Sequence, residues 1–258
     1  MSPLEVSNKI FVSFFLLPFL IFFVLPIKES AAKHEIPTFD SEQFTNPLNI
    51  DSTYMPLHVG DKYVYRAETE DGIEEDTVEV TSNSQTFLDG DIKCRAVSDI
   101  VTLTNDVLDH VPTEVTTDWY AQDDDGDVWY CGENSVEYFF DDEGNPTGSS
   151  SEGSWNMDEP GAEPGIVMLA DPMSGDSYSQ EYLEDVAEDM AKVMRLNAKV
   201  SVEFGDFDNC LETKEWTPLE LGAIGHKYYY PGVGQVSETE LGGGKTVESD
   251  LVDYIPSS

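Results

Sequence analysis

The stretch Asp118-Trp-Tyr-Ala-Gln-Asp-Asp-Asp-Gly-Asp-Val-Trp-Tyr-Cys-Gly-Glu133 concentrates the residue types that bind hard cations. Calcium and magnesium take oxygen ligands, chiefly carboxylates, so Asp118, Asp123, Asp124, Asp125, Asp127 and Glu133 form a candidate metal set with Ca2+ as its natural occupant. Asp125-Gly126 favours a two-residue hairpin turn. That register pairs Asp124 with Asp127, Gln122 with Trp129, Tyr120 with Cys131 and Asp118 with Glu133, all on one face because side chains alternate. Directly opposed like charges destabilise a sheet, and a bound cation would relieve them. The stretch is not an EF-hand, since Gly126 at the sixth position would put Ala121 first and Gly132 twelfth, where acids belong. The competing reading is a solvated acidic turn held by Asx hydrogen bonds. Trp119, Tyr120 and Trp129, with Glu181, Glu188 and Asp189 from a second acidic cluster, are candidates to line a ligand pocket.

Other chemistry is poorly supplied. Gly175-Asp-Ser177 has the look of a lipase nucleophile block, but only His226 lies downstream and it lacks an acidic partner at the expected spacing. Gly148 to Gly153 is one residue too long for a nucleophile elbow. His34, His58, His110 and His226 show no short-gap pairing of the kind a zinc site uses. Gly242-Gly-Gly-Lys-Thr246 lacks the phosphate-loop spacing. Two carboxylates acting in a secreted hydrolase remain the alternative to a non-enzymatic binding or surface protein.

The elements that must position these residues read as strands. Lys62 to Thr69 and Asp76 to Thr81 are rich in β-branched and aromatic residues around Glu70-Asp71-Gly72, and predict a hairpin. Ile92 to Leu103, Glu114 to Asp123 and Asp127 to Phe140 continue the series. Asp141 to Pro164 is rich in Gly, Ser and Pro and predicts long loops around a short piece at Trp155. Leu183, Val186, Ala187, Met190, Val193 and Met194 recur at helical spacing, so one helix near 183–196 stands as an alternative to strand. Ala198 to Phe204, Leu211 to Trp216 and three strands around Tyr228, Val236 and Val252 complete a C-terminal meander. The expected fold is mainly β, a single antiparallel sandwich or open barrel over 56–258, with an extended leader over 33–55.

Lys9, the apolar run Phe11 to Pro26 and Ser30-Ala-Ala32 have the layout of a signal peptide over 1–32. The run carries two prolines and is short for a membrane span, so the mature chain is expected to be exported, periplasmic or extracellular, with no stable membrane anchor. The 258 residues carry a formal charge of −39, and removing 1–32 leaves that charge unchanged. Such a field repels nucleic acid and attracts cations or a basic partner; it says nothing of oligomeric state. A solvated surface suited to a salty exterior is the plainer explanation. Cys94, Cys131 and Cys210 allow one disulfide and one leftover thiol in any of three pairings.

Three stretches together resemble a group of uncharacterised exported bacterial proteins. They are Asp118 to Glu133; Glu163 to Met168 through Gly175-Asp-Ser-Tyr-Ser-Gln-Glu-Tyr182 to Ala187-Glu-Asp-Met190; and Lys227-Tyr-Tyr-Tyr-Pro-Gly-Val-Gly234. The resemblance runs from about Val59 to Asp253, implies a single exported domain and favours strand over helix near Ala187. This chain departs from the group at Cys131, where an aromatic is expected, and at Asp127, where Asn is usual.

Overall fold

Alternation of side chains decides where the strands form. In β1 (Lys62–Glu68) Tyr63, Tyr65 and Ala67 are buried while their neighbours are half-buried or exposed, the period of two that a pleated strand requires. The same pattern runs through the first half of β2 (Ile73–Phe87) and most of β3 (Ile92–Thr104) and β4 (Val111–Gln122), whereas the first six residues of β5 (Val128–Phe140) are all buried. The computed structural model describes residues 37–242 and 244–257, so the signal-peptide reading of 1–32 and the start of the leader lie outside the described residues. The loop-rich middle contributes β6 (Pro146–Ser150), β7 (Trp155–Asn156), β8 (Glu163–Met168), β9 (Ser177–Ser179) and β10 (Glu181–Tyr182). A meander follows through β11 (Met190–Val202), β12 (Gly205–Trp216), β13 (Ile224–Tyr230), β14 (Gly234–Gly242) and β15 (Lys245–Ile255).

All fifteen strands belong to one antiparallel sheet in the order β10-β8-β5-β4-β3-β2-β1-β15-β14-β13-β12-β11-β9, with β6 and β7 pairing on β5. The fold is mainly β, as expected. The sheet curls without closing into a barrel. Its two ends are the consecutive strands β9, on β11, and β10, on β8, separated only by Gln180. Gly165 permits this seam: a Cβ there would stand 2.4 Å from the backbone of Ser179 and Gln180, a close approach that only glycine tolerates.

The helical alternative at 183–196 gives way to strand. Leu183 and Ala187 close a tight turn in which Asp185 is left-handed (φ 61°) and its N–H donates to Glu188 Oε1. From Met190 onward the backbone pairs with β9 and β12 on its two flanks. Those ladders satisfy the backbone groups that a helix would otherwise bond internally, and Ala191 and Val193 bury at strand spacing while Met194 is exposed.

Residues 37–57 pack onto the sheet. Phe44, Ile50, Met55 and Leu57 are buried in the main core. Thr45 donates to Asp124 Oδ1 from both its N–H (3.0 Å) and its hydroxyl (2.7 Å), and the Arg95 guanidinium donates to the Leu48 carbonyl at 3.2 Å. Of the three possible disulfides the structure contains Cys94–Cys131, which ties β3 to β5 across β4; Cys210 is buried and free. Among the described residues no helix is long and apolar enough to cross a membrane.

Candidate functional site

The β4–β5 hairpin splits the six acids of the candidate metal set into two groups. Asp118 pairs with Glu133, as the sequence register requires, but the tip differs: Tyr120 pairs with Tyr130, Ala121 with Trp129 and Gln122 with Val128. A bulge beside Trp119 and Tyr120 absorbs Cys131, and the connection is longer than a two-residue turn. The cause is Asp123. Its Oδ1 accepts the N–H groups of Asp125 (3.0 Å) and Asp127 (2.9 Å), and its Oδ2 accepts the Trp129 indole at 2.8 Å. Gly126 at φ 95° then returns the chain, a turn followed by a glycine bulge. Asp127 Oδ1 accepts Ala170 N–H at 2.7 Å, Asp124 holds Thr45, and Asp125 is exposed. The tip acids therefore serve as acceptors for local backbone and for residues 37–57.

Asp118 and Glu133 sit elsewhere, on the inner face of the curled sheet, 1% and 2% exposed. Following that face from strand to strand gives an almost continuous belt of polar side chains. Tyr65 pairs with Asp76, Asp99 with Thr116, Asp118 with Glu133 and Glu133 with Trp155. Glu181 lies on β10 at the near edge of the seam, and the far wall carries Glu215, Lys227 and Glu238, with Lys227 directly opposite Glu238. The seven acidic residues named in this belt are each less than one-tenth exposed, with Lys227 the lysine among them.

Lys227 serves the far wall, its Nζ 3.0 Å from Glu215 Oε2 and 3.8 Å from Glu238 Oε1. Burial alone would lower its pKa, but Glu215 and Glu238 outweigh burial and hold the ammonium above its ordinary range. The near wall has no such arrangement. Glu181 is 2% exposed; its carboxylate lies beside the Trp155 indole, and among the described residues neither oxygen makes a hydrogen bond of standard geometry. One oxygen of Glu133 is also unpartnered, whereas Asp118 Oδ1 accepts the Tyr130 hydroxyl at 2.6 Å.

An isolated buried carboxylate is so costly that the group takes up a proton instead. Burial raises Asp76 to about 7, moderated by a hydrogen bond with Asp99, whose own pKa is pushed well up by burial and by Asp76. Burial, then Asp99, raises Asp118; burial, then Asp118 and Glu181, raises Glu133; burial, then Asp189, raises Glu181. Glu238 reaches about 7 by burial despite Lys227. Asp189 is partly exposed at the rim, yet its carboxyl is enclosed by protein and also rises to about 7. The interior is thus a store of carboxylic acids, several of which titrate near neutrality.

The candidate pocket residues divide the same way. Tyr120 stacks on Tyr130 at 5.1 Å on the inner face, beside Asp118 and Glu133, and Glu181 and Asp189 join them there. Trp119 packs on Phe87, and Trp129 on Phe39 and Phe44, away from the belt. Glu188 is spent in the turn at Asp185. Sequence reasoning did not single out Asp76, Asp99, Glu215, Lys227 or Glu238. The available signal was a charged residue at inward parity inside a β-branched run, as in Val97-Ser-Asp-Ile-Val101. A cavity of about 20 Å3 lies among Tyr63, Tyr65, Tyr120 and Tyr229, enough for one water. Among the described residues no three acid, histidine or cysteine side chains form a ready-made metal cage.

No family model matches the chain, and no curated protein does. Two solved structures are similar over 80% of this chain and 100% of their own: a proposed exported protein with a YmcC-like fold from Bacteroides fragilis (TM-score 0.42) and a proposed lipoprotein from Parabacteroides distasonis (TM-score 0.41), each 13% identical.

Proposed function

We propose that the protein is an exported, non-enzymatic binding protein whose ligand is a hard divalent cation such as calcium, taken up by the near wall of the interior at Asp118, Glu133 and Glu181. The observation that carries this reading is Glu181, buried beside the Trp155 indole with neither oxygen in a hydrogen bond of standard geometry, and close enough to Glu133 to raise its pKa. Oxygen-only donors favour calcium or magnesium over softer metals. The hydrolase alternative needs a carboxylate pair that a substrate can reach, and the pairs Asp118–Glu133 and Asp76–Asp99 are sealed within the sheet. Export rests on the layout of residues 1–32.

Terbium, a calcium mimic, tests the reading because Trp155 lies beside Glu181. Binding at the near wall gives indole-sensitised terbium emission that calcium quenches by competition and Trp155→Phe removes. Absence of sensitised emission, together with a melting temperature unmoved by calcium, magnesium or EDTA at pH 8, would overturn it.

A further inference from the structure

We infer that the outer face of β11, β12 and β13 is a binding site for a tetrahedral oxyanion, phosphate or sulfate, gripped by Lys192, Lys214 and His226 and flanked by Arg195. The site lies on the opposite face of the sheet from the carboxyl belt, so it stands apart from the cation reading.

Composition makes this patch unlike the rest of the surface. The chain carries 52 acids against 13 lysines and arginines, and such a surface should surround each base with acids. Here the ladder does the reverse. Lys192 pairs with Lys214, and Lys214 pairs with His226, so three basic side chains stand on one rung across three strands. Residues directly opposed in this way share a face, with Cα atoms about 4.5–5.5 Å apart. The face is the outer one, because the intervening Ala191, Val193, Thr213 and Lys227 are buried. Lys214 Nζ lies over the Trp216 ring at 5.6 Å, and among the described residues neither Lys192 nor Lys214 makes an ion pair. Opposed like charges destabilise a sheet, and an anion held between the two ammoniums removes that cost.

The next rung adds a guanidinium. Strict alternation would send Arg195 to the face opposite Lys192. A bulge prevents it: Val193 pairs with Thr213 and Arg195 with Glu212, leaving Met194 unpaired. Bulges re-aim side chains in this manner and occur often beside functional sites. Arg195 thereby joins the outer face, where its Nε donates to Glu212 Oε2, while Glu212 Oε1 lies 3.0 Å from His226 Nδ1. Glu212 is buried, and each of its oxygens holds one of these two side chains. A carboxylate only accepts, so Nδ1 carries the hydrogen and Nε2 is left for a ligand. The Arg195 side chain is 57% exposed, with Tyr228 beside it. Its terminal N–H groups form a fork suited to phosphate. Glu248, opposite Thr239 on β15, marks the limit of the basic patch.

Two ammoniums on flexible four-carbon stems can converge on one ion, and charge-assisted bonds from several donors are how proteins hold phosphate. A free ion and the ester group of a larger molecule present the same oxygens. For an ester, Trp216 offers its organic part an aromatic surface next to Lys214.

Calorimetric titration of the mature chain in EDTA, at constant ionic strength in chloride, tests the site with inorganic phosphate, sulfate and phenyl phosphate. The expected result is saturable binding at one site per chain, weakened about tenfold or more by Lys192→Gln or Lys214→Gln, since each removes a charge-assisted bond. Lys192 is exposed and Lys214 half-buried, so neither substitution opens the core. Lys199→Gln, at an exposed lysine paired with Asp208, should leave binding unchanged. Equal affinity for phosphate and phenyl phosphate supports the site with a free ion as its ligand. Tighter binding of phenyl phosphate, with the gain lost in Trp216→Ala, supports it with an ester. Saturable binding of none of the three probes would overturn the site. So would binding that survives the double substitution of Lys192 and Lys214 by Gln, or that Lys199→Gln weakens equally. None of these results bears on the cation reading.

Discussion

Asp118 faces Glu133 across the β4–β5 ladder, two carboxyls on one rung with both side chains buried. Their folded pKa values are raised, so each opposes folding once the pH exceeds the ordinary carboxyl range, where the unfolded chain would ionise them. Asp118→Asn keeps an acceptor for the Tyr130 hydroxyl and removes one acid. In metal-free buffer at pH 8 it should stabilise the protein by about 1 kcal/mol or more, with little gain at pH 4. Urea unfolding at the two pH values checks this, and equal effects at both would contradict it.

The pH dependence of the whole fold follows from the same sign. Asp76, Asp189 and Glu238 move from ordinary carboxyl values to about 7 on folding. A raised acid contributes full stability below its unfolded pKa and loses it as the pH rises towards the folded one. The melting temperature in EDTA should therefore be highest near pH 4 to 5 and fall steadily to pH 8. Calorimetric scans across that range test it, and a maximum at pH 8 would refute it.

Lys227→Met should be the most damaging single change in the interior. It leaves Glu215 and Glu238 buried without their cation, a loss of about 3–5 kcal/mol at pH 8 for a broken buried pair. Acid should rescue it in part, because Glu238 gains a proton below about 7. Denaturant midpoints at pH 5 and pH 8 measure the difference between the two.

At the hairpin tip, Asp123 and its neighbour Asp125 separate structural from solvated acids. Asp123→Ala strands two backbone N–H groups and the Trp129 indole, which should cost about 1–3 kcal/mol. Asp125→Asn, at an exposed position, should change stability by less than about 0.5 kcal/mol. Trp129 fluorescence during unfolding reports both variants.

Reduction of the Cys94–Cys131 bond frees a loop with a sequence separation of 37. Loop-closure entropy puts the loss at about 4 kcal/mol. Melting with and without reductant gives the value, and the buried Cys210 should stay unreactive to thiol reagents until the protein unfolds.

Strand positions were legible because burial imposes a period of two, and Tyr63, Tyr65 and Val78 follow it. The Asp118–Glu133 rung was legible for the same reason. The tip was not, since Asp-Gly fits more than one turn and the choice was made by Asp123 bonding to Trp129, a contact between residues whose relative placement depends on the turn itself. The helical stripe from Leu183 to Met194 misled because its six apolar residues keep helical spacing at mixed strand parity, and only the tight turn at Asp185 and the flanking partners β9 and β12 decide against a helix. The belt was invisible as a belt: Asp76, Asp99, Lys227 and Glu238 lie far apart in sequence, and the 52 acids of the chain hide the few that point inward.

The position of β1 between β2 and β15 bears on how the molecule is made. Tyr63 pairs with Val78 on one side and with Tyr254 on the other, so the strand that emerges first keeps one bare edge until nearly the last residues arrive. Such distant pairing slows folding, and a bare edge invites pairing with other chains. During that wait the dense negative charge works as a repellent between unfinished copies, a task distinct from anything it does in the finished fold.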